Sequence, residues 1–219
     1  MNRGELRTRA RQLLFDEAQP YGWADTELNA YINEALRQAC VRGQLLRRLD
    51  TVTLVSGTAS YDLPDYFDPW QVTRVYLSST PEIEVTKRSR PELIREYQTY
   101  DLGSGTPIHY RLDGPNESAP FGLVLFPTPD ATDTLNIEYI ALPCDLSTDT
   151  STPEISTYYH EKLLDGVLML CYRKKDADAY DPDSALKHEA MFTRSFGTDY
   201  SALEHNHIQQ QQHYVVIPE

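Results

Sequence analysis

The residues of this chain with the right types for chemistry are its six histidines, three cysteines and 33 carboxylates, and their spacing decides what each group can do. His205, Asn206 and His207 stand together and spell a nuclease motif. That nuclease spreads its residues over a hairpin and a helix around a metal, so three neighbours near a helix end do not reproduce it. With His213 they would make only a weak, adventitious metal site. His160-Glu161 and His188-Glu189 each start like HExxH but lack the second histidine four residues on. Neither can present paired imidazoles on one helix face, and both read as helix-surface residues.

The cysteines point the same way. Cys171 lies in the most apolar helical pattern of the chain, where a thiol is inert packing, and Cys40 is also helical. Cys144 falls in a loop and is expected to be the most exposed. Three well-separated cysteines argue against a disulfide framework and fit a reducing compartment. No GxxxxGK[ST] stretch is present to cradle a phosphate, and Gly103-Ser104-Gly105 reads as a loop rather than a dinucleotide fingerprint. Among so many carboxylates some pair will fall at glycosidase separation by chance, and no short stretch singles one out. The sequence therefore gives no catalytic residue, no cofactor and no metal.

Charge limits the partners. The net charge is −13, with eight Lys/Arg against seven Asp/Glu in residues 1–50 and 12 against 26 in the remainder. A groove-reading nucleic-acid binder should carry a basic patch, and none is visible. The acidic excess keeps a protein soluble, and it would also suit a surface that DNA slides past without sticking. The longest apolar stretch, around Val167 to Cys171, is far short of the ~20 residues that cross a bilayer, so no membrane partner is expected. The opening MNRGELRTRARQ has arginines but no apolar core of a secretory leader. Fifteen tyrosines supply flat apolar faces with polar tips, which suit protein interfaces as well as a core.

The positioning elements follow from periodicity. Leu6, Ala10, Leu13 and Leu14 share one face of a helix at 4–17, which Pro20-Tyr21-Gly22 breaks. Asp25 or Thr26 can cap a second helix at 26–47, in which Leu28, Tyr31, Ile32, Ala35, Leu36, Ala39 and Leu46 recur at helical spacing. The period then changes to two: Thr51–Ser56, Ser60–Leu63, Trp70–Ser78, Glu82–Thr86, Ile108–Leu112, Gly122–Phe126 and Thr134–Ile140 read as short strands with turn-rich links, apart from a short helical pattern at Arg90–Thr99. Sequential order favours an antiparallel meander over β-α-β units. Helices return at 157–175, apolar almost all round, and at 183–203, where Leu186, Phe192, Phe196, Tyr200 and Leu203 are the packing candidates. The expected fold is α+β: a bundle of about four helices, two N-terminal and two C-terminal, with a small antiparallel β-meander inserted at 51–142. Residues 1–206 would form a single domain and 207–219 an extended C-terminal tail.

That tail places Tyr214, Val215, Val216, Ile217 and Pro218 behind the solvated run Gln209–Gln212. Val-Val-Ile has strong β preference, and a terminal strand of this kind can pair with an exposed sheet edge on another molecule. From His205 to Glu219 the extended chain would reach roughly 50 Å. These five residues are the candidate partner-binding site.

Several stretches, taken in order, resemble one known family. GTASYDLPDYFDPWQVTRVYL (57–77), TPIHYRLDG (106–114), LVLFPTPDATDTLNIEYIALPCDLSTDT (123–150) and PEISTYYHEKLL (153–164), with TELNAYINEALRQA (26–39) before them, resemble tailed-bacteriophage head-to-tail adaptor, or connector, proteins. The resemblance implies a structural virion protein without enzymatic activity, made in the host cytoplasm and placed at the capsid vertex. It implies a ring of other copies of itself, a dodecamer, docked between the portal protein and the downstream tail or nozzle proteins. DNA would pass through the extended channel without specific binding. The tail at 207–219 would then grip the portal, although its length and composition also suit a neighbouring subunit. Two alternatives stay open. One is a cell-wall (peptidoglycan) hydrolase acting at infection, which would need a carboxylate pair in a cleft and would show on a zymogram. The other is a different neck or tail-completion protein, separated from the first reading only by its bound partner.

Overall fold

The structure, a computed structural model, describes residues 1–64, 67, 69–79, 81–97, 103–113, 122–175 and 179–199. The described residues gather into two compact units, one of residues 1–46 and 142–199 and one of Arg47–Ala141. The expected tail at 207–219, and residues 200–203 of the expected 183–203 helix, lie outside the described residues; the helix itself ends earlier than expected, at Phe196, with Gly197 as its C-cap.

The first unit is helical. Helix α1 (Arg3–Leu14) starts with a capping box, in which the Asn2 side chain accepts from the Glu5 amide and the Glu5 carboxylate accepts from the Asn2 amide. It ends at Leu14, short of the expected 17, because Phe15 takes a left-handed conformation (φ 56°) and its N–H closes on the Arg11 and Gln12 carbonyls. Helix α2 (Asp25–Gly43) differs from expectation at both ends. Its N-cap is Ala24 with no side-chain cap, since the Asp25 carboxylate turns to Arg11 instead. Its C-cap is Gln44 in the left-handed region, so Leu46 is buried beyond the helix rather than within it. A 3-10 turn (Thr157–Tyr159) leads into α4 (His160–Tyr172), and Asp181 caps α5 (Pro182–Phe196) by accepting from the Asp183 and Ser184 amides.

The core of this unit sits where these helices meet. Leu6, Ala10, Leu28, Ile32, Ala35, Leu36, Leu163, Val167 and Phe192 are essentially inaccessible. Gly166 explains how close the helices come: a Cβ there would lie 2.7 Å from the Phe192 ring and 3.0 Å from the Ala35 Cβ. Leu186, expected to pack, is instead 62% exposed, because α5 turns Ala185, Phe192 and Phe196 inward.

The second unit holds β1 (Arg47–Thr53), β2 (Ser60–Asp62), β3 (Pro69–Leu77), β4 (Ile83–Glu84), β5 (Thr86–Lys87), helix α3 (Arg90–Tyr97), β6 (Ser104–Gly105), β7 (His109–Asp113), β8 (Gly122–Phe126), β9 (Thr128–Pro129) and β10 (Thr134–Ala141). They form sheets of order β1-β10-β3-β4, β2-β8-β7-β5 and β6-β9. Pairing is antiparallel except for β5 with β7 and β6 with β9.

Among the described residues the chain thus has five α-helices and ten strands in three sheets, a mixed α+β fold. This corrects the expected four-helix bundle with a small antiparallel meander. Two physical causes account for the difference. Strands of two residues carry no alternation to detect; the stretch expected as one hairpin partner splits at Val85, which is buried, with β4 joining the first sheet and β5 the second. Order along the chain also misleads: the first and last strands pair through the full length of β1, from Arg47 opposite Ile140 to Thr53 opposite Thr134. Within β3 a register shift opposite Glu138 and Tyr139 breaks the period of two. Val72, Val75 and Leu77 are all buried although Val72 has the opposite parity, and Thr73 projects between them.

Candidate functional site

Among the described residues His160, His188, Cys40 and Cys171 are committed to structure, and His160, expected on a helix surface, is instead buried. His160 is buried, its Nε2 facing the Ile155 carbonyl at 3.1 Å, and burial holds its pKa below the ordinary imidazole value. His188 sets Nδ1 2.9 Å from Asp165 and stacks on the Tyr172 ring. Cys40 and Cys171 are buried in helices, and burial pushes both thiols up to about 12, far from the thiolate a nucleophile needs. Cys144 is exposed and none of the three is in a disulfide. No group of three His, Cys, Asp or Glu side chains able to hold a metal occurs among the described residues. His205, Asn206, His207 and His213 lie outside them.

Two ion networks, neither visible as a motif, fix the helical unit. Arg11, in the last turn of α1, is buried; its guanidinium donates to Asp16, to Asp25 at 2.6 Å and to the Trp23 carbonyl at 2.9 Å, and lies over the Tyr21 ring. Asp16 in turn accepts from the Gly22 and Trp23 amides. One buried cation thus organises the whole α1–α2 connection, satisfying groups that would otherwise be costly to bury. Asp149 is the second hub, taking two hydrogen bonds from Arg7 and two from Arg3. The Arg7 bonds, then those of Arg3, hold its carboxyl down to about 2. A shallow, open hollow of about 530 Å³ borders α1 here, lined by Gly4, Glu5, Thr8, Arg9, Gln12 and Asp149 among others. Its two carboxylates are tied down, Glu5 in the capping box and Asp149 between two arginines.

In the β unit, sequence reasoning misses a hydroxyl–imidazole–hydroxyl chain. Thr86 Oγ1 lies 2.7 Å from His109 Nδ1, and the Tyr97 hydroxyl lies 2.9 Å from Nε2. His109 is buried, so the arrangement fastens the end of α3 to β5 and β7. Only the pairing of strands brings these three together, and no spacing in the sequence announces it.

What stays uncommitted is surface. In the helical unit Phe15 is 93% exposed in its left-handed cap, and Leu186, Met191 and Tyr180 are also exposed. In the β unit, β1 is an edge strand, hydrogen-bonded to β10 on one side and to no strand on the other among the described residues. Its side chains alternate exposed and half-buried, with Leu49 53% exposed at its centre. The partner-binding residues expected from sequence, Tyr214, Val215, Val216, Ile217 and Pro218, lie outside the described residues. No described helix is long and apolar enough to cross a membrane.

Comparison with known proteins adds one finding. A family model described as SU10 adaptor protein matches residues 1–213. No curated protein matches the chain.

Proposed function

The chain belongs to the SU10 adaptor protein family, a phage head-to-tail adaptor family, and on that premise we propose that it forms a ring between the portal and the tail. It is a phage adaptor protein and a virion component, with other capsid or tail proteins as its partners. The finer reading is that twelve copies extend the DNA channel below the portal and give the tail its docking platform, without catalysis. The observation that carries it is the family match, which runs across nearly the whole chain.

The physical features support this reading. Among the described residues His160 and His188 are held in hydrogen bonds and Cys40 and Cys171 are buried, while Phe15 and Leu186 are left outward, which suits a protein that works by contact. The net charge of −13 suits a passage that DNA traverses without binding. Tyr214 to Pro218 would serve as the grip on a partner, either the portal or a neighbouring copy.

Sedimentation of the purified protein with portal rings tests the proposal. The expected outcome is a complex of discrete stoichiometry that is absent without portal. Failure to co-sediment at micromolar concentration would reject the docking role. Removing residues 207–219 should leave the circular dichroism spectrum intact and abolish docking; loss of the folded state would instead assign the tail to the protein's own core.

A further inference from the structure

We propose that Phe15 is an anchor between copies of this chain: its ring enters the hollow beside α1 of a second copy, and Glu17 of the first meets Arg9 of the second. This rests on the ring reading above and names a contact that would build the ring.

Neither the backbone nor the packing accounts for a phenylalanine at position 15. The residue has φ 56° and ψ 33°, a left-handed conformation in which a bulky side chain is an outlier and glycine is the usual choice. Burial does not compensate, since Phe15 is 93% exposed. The aromatic ring therefore costs backbone energy and returns nothing to the fold, and such an outlier points to a use outside it. The position is also stiff. Helix α1 precedes it, and the buried Asp16 follows it. The Asp16 amide donates to the Arg11 carbonyl at 2.9 Å, and its carboxylate accepts from Arg11 and from the Gly22 and Trp23 amides. With the backbone held and two side-chain torsions left to fix, the outward ring gives up little entropy on contact, as an interface anchor should.

Charge complementarity selects a second copy as the occupant. The hollow of about 530 Å³ is lined by Met1, Gly4, Thr8, Arg9 and Gln12 among others, and Gly4 brings no side chain to fill it. Of its charged groups, Asp149 is already matched by Arg3 and Arg7, and Glu5 caps α1. Arg9 is the cation left to a ligand, its one partner among the described residues being Gln12 Oε1 at 3.1 Å. Two residues beyond Phe15, the exposed Glu17 has no hydrogen-bond or ion partner among the described residues. A guanidinium binds a carboxylate and also lies well over an aromatic face, so Arg9 complements Glu17 and Phe15 together. The Phe15 corner and the hollow are different surfaces of one helical unit, so their contact is heterologous. Contacts of that kind close into rings when the rotation between copies permits, as the proposed assembly needs.

Full-length variants test it, with assembly on portal rings read by sedimentation. Phe15→Gly removes the ring and suits the left-handed backbone, so its thermal midpoint should be no lower than the parent's while assembly weakens at least tenfold. A lowered midpoint, or unchanged assembly, overturns the proposal. Arg9→Glu and Glu17→Arg should each weaken assembly, and a chain carrying both should return to within threefold of the parent; no recovery overturns the pairing. For a direct readout, a Cys144→Ser chain keeps only the buried Cys40 and Cys171. In that background Ala18→Cys is made in one batch and Thr8→Cys in another, which leaves Phe15, Glu17 and Arg9 in place. The two batches are mixed on portal rings and treated with a short bismaleimide. The mixed cross-linked dimer should be at least tenfold more abundant than when Lys187→Cys, on the exposed side of α5, replaces Thr8→Cys. Imaging of the unchanged chain on portal separates this from the reading beneath it. A ring of copies without the mixed dimer sinks this contact alone, whereas copies that bind portal without touching one another sink the ring reading and this contact with it.

Discussion

The two units of this molecule treat their polar groups in opposite ways. In the helical unit the end of α1 is closed by Arg11, which is buried against Asp16, Asp25 and the Trp23 carbonyl, and the loop at Asp149 is held by two more arginines. In the β unit, β1 runs for seven residues with a partner strand on one side only among the described residues. The contrast separates two kinds of substitution. Changes at buried groups of the first unit should register as lost stability. Changes along the edge of the second should leave stability nearly unchanged.

The sharpest test of that division is Phe192→Ala. Phe192 is fully buried against Gly166 and Phe196, and its removal should destabilise the helical unit by about 3–5 kcal/mol, read as loss of helical circular dichroism in denaturant. Gly166→Ala follows at about 1–3 kcal/mol, because a methyl group 2.7 Å from a fully buried ring has to displace it. If either variant unfolded only the β unit, the comparison would be broken.

Asp149→Asn should have a smaller and pH-dependent effect. Its folded pKa, about 2, lies below the ordinary 3.8, so the native state favours the charged form. The stabilisation is fully present above about pH 4 and is lost as pH falls toward 2. Thermal midpoints of the parent and variant should therefore differ at neutral pH and converge in acid. A gap that widened on acidification would contradict the arginine clasp. Smallest of all is Leu49→Lys, which should change unfolding free energy by no more than about 0.5 kcal/mol, measured by denaturant titration. A large loss of stability there would show that the strand edge is part of the unit's own core.

How much of this is legible in the sequence depends on the range of the interactions involved. Leu28, Ile32, Ala35, Leu36 and Ala39 announce α2 because helical packing repeats every three to four residues and is written locally. The placement of Cys40 and Cys171 in inert surroundings is legible for the same reason. The β unit is much less readable. β4 and β5 exist only because of neighbours elsewhere in the chain, and the shift at Thr73 moves Val72 to the opposite face without any local sign. Long-range polar partners are hidden too. Asp25 looks like a helix cap until Arg11 claims it, and Thr86, His109 and Tyr97 have no common pattern before the strands pair. On the candidate site, sequence alone identifies a β-prone segment at Tyr214–Pro218 with nothing obvious to pair with. That β1 is an edge cannot be read from Arg47–Thr53 themselves, since edge position is set by which strands arrive on either side.

The pairing of β1 with β10 has an evolutionary consequence. Arg47 lies directly across from Ile140, so the polypeptide enters and leaves the β unit through neighbouring positions, about 5 Å apart. A segment whose two ends meet in this way is a cassette: it can be lengthened, trimmed or exchanged for another without rerouting the helices on either side. Adaptors that must fit different phage hardware could diversify through that gateway while the surrounding scaffold is kept.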